Sequence, residues 1–213
     1  MRIPLQNRLK KRAHIEMARL EDEVVDILYG IEPGLVLHGD TAVWRCYYGN
    51  RFSEDLDFYC RNPHAVESYF ARKTGERGLS LLKLKRTKNL IFCKVSDGNV
   101  EVRVEINFAT PQKPAIGRYE KVDGTYMDIL TLSPEELLLE KMDAYAERGY
   151  IRDIYDVYHL SAYVKGEKVR QESRKFLDSI RAPVDEKNLK ALVYSGAVPS
   201  FRQMVEALKR RFG

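Results

Sequence analysis

Residues 35–58 read LVLHGDTAVWRCYYGNRFSEDLDF. Three apolar residues, Leu35, Val36 and Leu37, lead into a turn at His38-Gly39-Asp40. An amphipathic segment then runs to Gly49, and Ser53-Glu54-Asp55-Leu56-Asp57-Phe58 follows. This order predicts strand, glycine turn, helix, glycine stop, strand. Side chains two apart on a strand share a face, so Asp55 and Asp57 project together while Leu56 and Phe58 turn toward the core.

Two carboxylates held in parallel repel each other unless a cation sits between them, and a hard divalent ion such as Mg2+ or Mn2+ suits oxygen donors. The Gly39 turn offers backbone N–H groups and a helix N-terminus, which together attract phosphate. A phosphate cradle beside metal-binding carboxylates points to nucleotide chemistry. A lone D-x-D pair more often marks a solvated strand face. The turn, the spacing and the lead-in Arg51-Phe52-Ser53-Glu54 separate the two readings.

Gly39, Thr41 and Ala42, followed by Arg51, Ser53, Asp55 and Asp57, resemble the first motif of the nucleotidyltransferase superfamily. The form R-F-S-E-D-L-D resembles the AbiEii/AbiGii branch, the nucleotidyltransferase toxins of type IV toxin–antitoxin systems. In the second half, Glu140-Lys141, Arg148 and Arg152-Asp153-Ile154-Tyr155-Asp156 resemble the E-K…R…R-D-x-x-D pattern of the same branch, so the likeness spans about residues 35–160. It implies an α/β (α+β) fold, with a mixed β-sheet and flanking helices over residues 1–130 and a helical domain over 131–213 that closes over the site.

The resemblance also implies an activity: Mg2+- or Mn2+-dependent transfer of a nucleoside monophosphate from an NTP to a hydroxyl acceptor. RNA is the expected acceptor, with the 3′ end of tRNA as one form, and a neighbouring antitoxin protein would restrain the toxicity. Asp55 and Asp57 are the expected metal ligands and catalytic residues. Gly39, Asp40, Thr41, Ser53 and Lys141 are the expected nucleotide-binding residues, and Asp156 is expected to act on the nucleotide or the acceptor.

Residues 100–108 alternate well. Val100, Val102, Val104, Ile106 and Phe108 face one way, and Glu101, Arg103, Glu105 and Asn107 the other. Nucleotidyltransferases place a third carboxylate on a strand beside the D-x-D strand, and Glu105 matches it, completing the metal site or accepting the proton of the attacking hydroxyl. A charge ladder on an exposed strand is the competing account. For Asp153 and Asp156 the competing account is an internal salt-bridge cluster with Arg148 or Arg152.

Asp40 departs from the family pattern, which has Gly or Ser directly after the first glycine. An anion there opposes a triphosphate unless Asp40 turns away and caps the helix, the reading preferred here. Two further readings stand beside transfer to RNA: a relative that binds nucleotide or RNA without turnover, and a transferase acting on a small-molecule or protein hydroxyl. A two-metal nuclease would not need the Gly39 turn.

The chain of 213 residues is long enough for one large or two small cores. No run approaches the ~18 apolar residues of a membrane span. The basic segment MRIPLQNRLKKRAHIEMARL lacks the apolar region of a signal peptide and is read as mature protein. Cys46, Cys60 and Cys93 are odd in number without metal-like spacing, which fits free thiols in a reducing cytoplasm. The net charge of +5 gathers at Arg8-Lys10-Lys11-Arg12, Lys83-Lys85-Arg86-Lys88 and Lys209-Arg210-Arg211, each either an RNA contact or a solvated face.

Elsewhere the pattern predicts helices over 13–29, 63–77, 135–148, 152–164, 185–194 and 201–212, with Gly30 and Gly149 as stops. Strands are expected at 79–86 and 90–95. Residues 109–130, with Pro111, Pro114, Gly117 and Gly124, read as irregular up to a short strand at 127–130.

Overall fold

The computed structural model describes residues 3–110 and 114–213, and Pro111 lies outside the described residues. The chain divides into two compact units, residues 1–48 with 53–132 and residues 49–52 with 133–213.

The first unit holds a seven-stranded mixed sheet in the order β3-β4-β5-β2-β1-β7-β6. Its strands are β1 (Val36–His38), β2 (Asp55–Tyr59), β3 (Ser80–Arg86), β4 (Leu90–Ser96), β5 (Glu101–Asn107), β6 (Pro114–Glu120) and β7 (Tyr126–Leu132). Its helices are α1 (Leu5–Arg8), α2 (Arg12–Ile31), α3 (Gly39–Cys46) and α4 (His64–Glu76). Strand β2 pairs antiparallel with β1 and parallel with β5, so the D-x-D strand lies inside the sheet. The alternation of β5 is realised in full: Val102, Val104 and Ile106 are buried, and Glu101, Arg103, Glu105 and Asn107 are exposed. One face of β2, β5 and β4 therefore packs into the core, where α2 contributes Leu20, Val24 and Leu28, while the other faces water.

Helix α3 is held to α2 and β6 by a buried cation. The Arg45 guanidinium pairs with Asp22, donates to the Tyr119 hydroxyl at 2.9 Å and lies over the Trp44 ring at 4.7 Å. Beside it, burial lifts the Glu21 carboxyl well above the usual carboxylate range, with Arg45 opposing.

Several boundaries differ from the sequence reading. Gly30 does not stop α2, which continues to Ile31. The irregular stretch is a hairpin in which β6 and β7 pair antiparallel from Pro114↔Leu132 to Glu120↔Tyr126. Pro114 and Gly117 suggested a loop, yet proline is tolerated at the first residue of an edge strand. Gly117 is there for space, since a Cβ at that position would stand 2.5 Å from the Thr131 methyl.

The second unit is helical: α5 (Pro134–Arg148), α6 (Ile151–Leu160), α7 (Glu167–Asp178), α8 (Leu189–Leu192) and α9 (Phe201–Phe212). Ser133 caps α5 by accepting from the Glu136 N–H, with Pro134 in the first turn. Gly149 ends the helix at φ 66°, a left-handed conformation that costs glycine little. Where one helix over 185–194 was expected, a 3₁₀ turn at Glu186–Asn188 runs into the short α8. Residues 49–52 belong to this unit through the Phe52 N–H to Leu192 carbonyl bond (3.3 Å) and the Tyr194 N–H to Asn50 carbonyl bond (3.0 Å).

Candidate functional site

Gly39 opens α3 at φ 71°, and His38 takes the N-cap position. A Cβ added to Gly39 would stand 2.6 Å from Oδ2 of Asp57, so the carboxylate lies directly against the glycine turn. Only a residue without a side chain admits that approach. The Thr41 hydroxyl donates to the Asp55 backbone carbonyl at 2.6 Å, which ties α3 to β2 rather than facing a ligand. Ser53, expected to help hold the triphosphate, is buried two residues before Asp55.

Asp57 is paired in register with His38 on one side and Glu105 on the other, and Asp55 with Arg103. The structure thus brings Gly39, Asp55, Asp57 and Glu105 to one place. Burial lifts the Asp57 carboxyl to about 6; His38 opposes the rise, and the carboxylates of Asp40, Asp55 and Glu105 add to it. The His38 ring stacks on Tyr59 at 3.8 Å.

One expectation is corrected here. Asp40 is not the helix N-cap: α3 begins one residue earlier, and Asp40 lies in its first turn, where the helix dipole favours an anion. The cross-strand ion pairing of the competing account is present on β5, where Glu101 pairs with Lys94 of β4 and Arg103 with Asp55 of β2. Arg103 reaches across to β2 and grips both oxygens of Asp55, Nε to Oδ1 at 2.6 Å and Nη2 to Oδ2 at 2.9 Å.

Among the described residues, no three His, Cys, Asp or Glu side chains stand together as a ready metal cluster. The donor chemistry nonetheless suits a divalent cation. Asp55, Asp57 and Glu105 offer hard oxygen donors on one sheet face; burial is the main cause of the raised Asp57 carboxyl, and the smaller part that comes from its like-charged neighbours is what a cation would relieve.

A second constellation lies within the helical unit. Asp156 on α6 accepts from Arg51, Nη2 to Oδ2 at 2.6 Å and Nε to Oδ1 at 3.2 Å, and Lys141 on α5 places Nζ 3.3 Å from the same Oδ2. All three side chains are buried. The pairing read from local spacing holds only for Asp153, gripped by Arg148 at 2.7 Å through both oxygens. Arg51 carried a signal in the motif but no predicted partner, because its carboxylate is 105 residues away in the chain.

A seven-stranded mixed sheet with a glycine turn set against in-register acidic residues, together with a helical unit, defines a nucleotidyltransferase fold. Solved structures that share it include JHP933 from Helicobacter pylori (TM-score 0.67, 18% identity, covering 95% of this chain and 91% of that one) and MenT4, nucleotidyltransferase toxin Rv2826c from Mycobacterium tuberculosis H37Rv (TM-score 0.61, 17% identity, covering 95% and 84%). No curated protein matches the chain.

The family model described as nucleotidyl transferase AbiEii toxin, Type IV TA system, matches residues 26–212, and the chain belongs to that family. It is a nucleotidyltransferase, and its family implies a nucleotide substrate and an antitoxin partner. Among the described residues no helix is long and apolar enough to cross a membrane.

Proposed function

We propose that the chain transfers the nucleoside monophosphate of an NTP to a hydroxyl of RNA, acting as the toxin of its pair. The acceptor oxygen bonds to the α-phosphorus, the α–β anhydride bond breaks, pyrophosphate leaves, and the hydroxyl proton passes to a carboxylate. The observation that carries this reading is the contact of Asp57 with the Gly39 turn, which sets a phosphate-binding backbone against the acidic pair.

Asp55, Asp57 and Glu105 are the residues that would hold Mg2+ or Mn2+, which when bound supplies charge neutralisation at the phosphates. The N–H groups after Gly39 and the Ser53 hydroxyl hold the triphosphate. Glu105, exposed beside Asp57, accepts the hydroxyl proton. Lys141 and Asp156, which the resemblance assigns to the nucleotide or the acceptor, are paired with each other, and Asp156 with Arg51, inside the helical unit, and their part is to hold that unit's own fold.

A second reading, nucleotide binding without turnover, draws support from Asp40, whose charge falls on the same turn. In it, Asp40→Gly restores pyrophosphate release that the unmutated chain lacks.

The test is incubation with Mg2+, each α-labelled NTP in turn and total host RNA, beside Asp55→Ala/Asp57→Ala. Label on RNA with the unmutated chain alone is the expected result, and the labelled band identifies the acceptor. Nucleotide binding without label on any acceptor defeats the transfer reading.

A further inference from the structure

Across the open face of the sheet, the strand pairings line side chains into two rows. One runs Asp57, Glu105, Phe92, Lys85; the other runs Asp55, Arg103, Lys94, Lys83. Both begin on the acidic pair of β2 and end on lysines of the edge strand β3. Paired residues of neighbouring strands share a face, and strands lie about 4.8 Å apart, so each row spans about 14 Å.

The fold does not require this composition. The same strand β4 buries Ile91, Cys93 and Val95 on its other face, which meets the needs of the core. On the open face Phe92 is half-buried under a lysine, with the Lys83 ammonium 5.1 Å from its ring centre. Lys83 and Lys85 are exposed, and the turn that follows β3 adds the exposed Lys88.

We propose that this strip is the seat of the acceptor: the single-stranded 3′ segment of an RNA, its terminal hydroxyl at the carboxylates of β2 and its preceding nucleotides crossing β4 toward β3. This rests on the transfer reading above. Phosphates meet Lys83 and Lys85, and a base stacks on Phe92 in place of the ammonium, a contact open to any base because every base has a π-face. The charge gradient sets the direction. An anionic backbone is repelled by the acidic end and drawn to the basic end, so only the terminus of the strand comes to rest at Asp55 and Asp57. An acidic protein segment would match the lysines but has no use for the ring.

The test is fluorescence anisotropy of a labelled single-stranded RNA 12-mer on the full chain, without metal or NTP. Lys83→Ala/Lys85→Ala weakens binding about tenfold and flattens the logarithmic salt slope by about 1.4, the contribution of two phosphate contacts. Phe92→Leu, which keeps the apolar volume, weakens binding about fivefold or more and leaves the slope unchanged. NTP affinity is the same in all three proteins.

Unchanged RNA affinity in both variants overturns the proposal. So does an inert Phe92→Leu accompanied by equal loss of RNA and polyglutamate binding in the lysine variant, which assigns the strip to an acidic protein. The two readings fail separately. Strip variants that lose RNA binding in a chain that labels no acceptor leave this surface standing and remove the transfer reading; RNA labelling at an unchanged KM in the strip variants does the reverse.

Discussion

The acidic group of the sheet unit and the ion cluster of the helical unit contain the same kinds of residue in opposite arrangements. On the sheet, Asp55 and Arg103 keep 42% and 52% of their side-chain surface exposed, and the carboxylates of Asp40, Asp57 and Glu105 share the neighbourhood. In the helical unit Arg51 and Asp156 are 5% and 3% exposed, and two cations share one carboxylate. An exposed pair among surplus like charges contributes little to stability and exchanges partners readily. A buried pair is held by the cost of leaving either charge uncompensated. The first arrangement suits a centre that takes up a cation; the second suits a rigid support summing to one positive charge over its three side chains.

The largest expected difference is in activity. Asp57→Asn lowers the transfer rate about ten-thousandfold, roughly 5 kcal/mol of transition-state stabilisation, while leaving the fold intact. Stability should separate the two regions next. Asp156→Ala leaves two buried cations with less compensation and costs about 3–5 kcal/mol, whereas Asp55→Ala changes stability by about 1 kcal/mol or less. Urea unfolding of the two variants reads this directly, and equal losses would break the comparison.

A smaller effect is expected at the glycine turn. Gly39→Ala puts a methyl group against Asp57 Oδ2 and a non-glycine residue at φ 71°, costing about 1–2 kcal/mol, and NTP affinity falls with it. The last effect is pH-dependent. The Asp57 carboxyl stands at about 6 in the folded chain, above its unfolded value, so the folded state binds more protons and stability at this group is lost as pH rises through about 6. Asp57→Asn therefore raises Tm at pH 8 and not at pH 4. A rise of the same size at both pH values would remove the argument.

Where local chemistry decided the structure, the sequence was readable. The glycine turn, the same-face pair Asp55 and Asp57, and the alternation that puts Glu105 on the polar side of β5 all follow from periods of two residues and from φ at one glycine. The register that sets Glu105 beside Asp57 is a tertiary fact, implied only by family likeness. Residues 114–132 were obscured because Pro114 and Gly117 carry loop signals while serving an edge strand and a tight contact with Thr131. Asp156 was expected to act on the nucleotide or the acceptor, with nearby arginines as the competing partners; its partner Arg51 was out of reach because spacing on a helix shows only local partners and Arg51 arrives from a distant segment. The Arg103 grip on Asp55 was likewise out of reach, since alternation tells which face a side chain takes but not which neighbouring strand it crosses to.

The central claim is that the carboxylates of β2 and β5 are the reacting centre. Its most direct test is a Mn2+ titration followed by electron paramagnetic resonance in the presence of NTP, comparing the unmutated chain with Asp55→Asn/Asp57→Asn and with Asp26→Asn, a carboxylate that pairs with Lys121 elsewhere in the unit. The account predicts Mn2+ uptake that survives Asp26→Asn and disappears in the double variant. Equal uptake by all three proteins would contradict it.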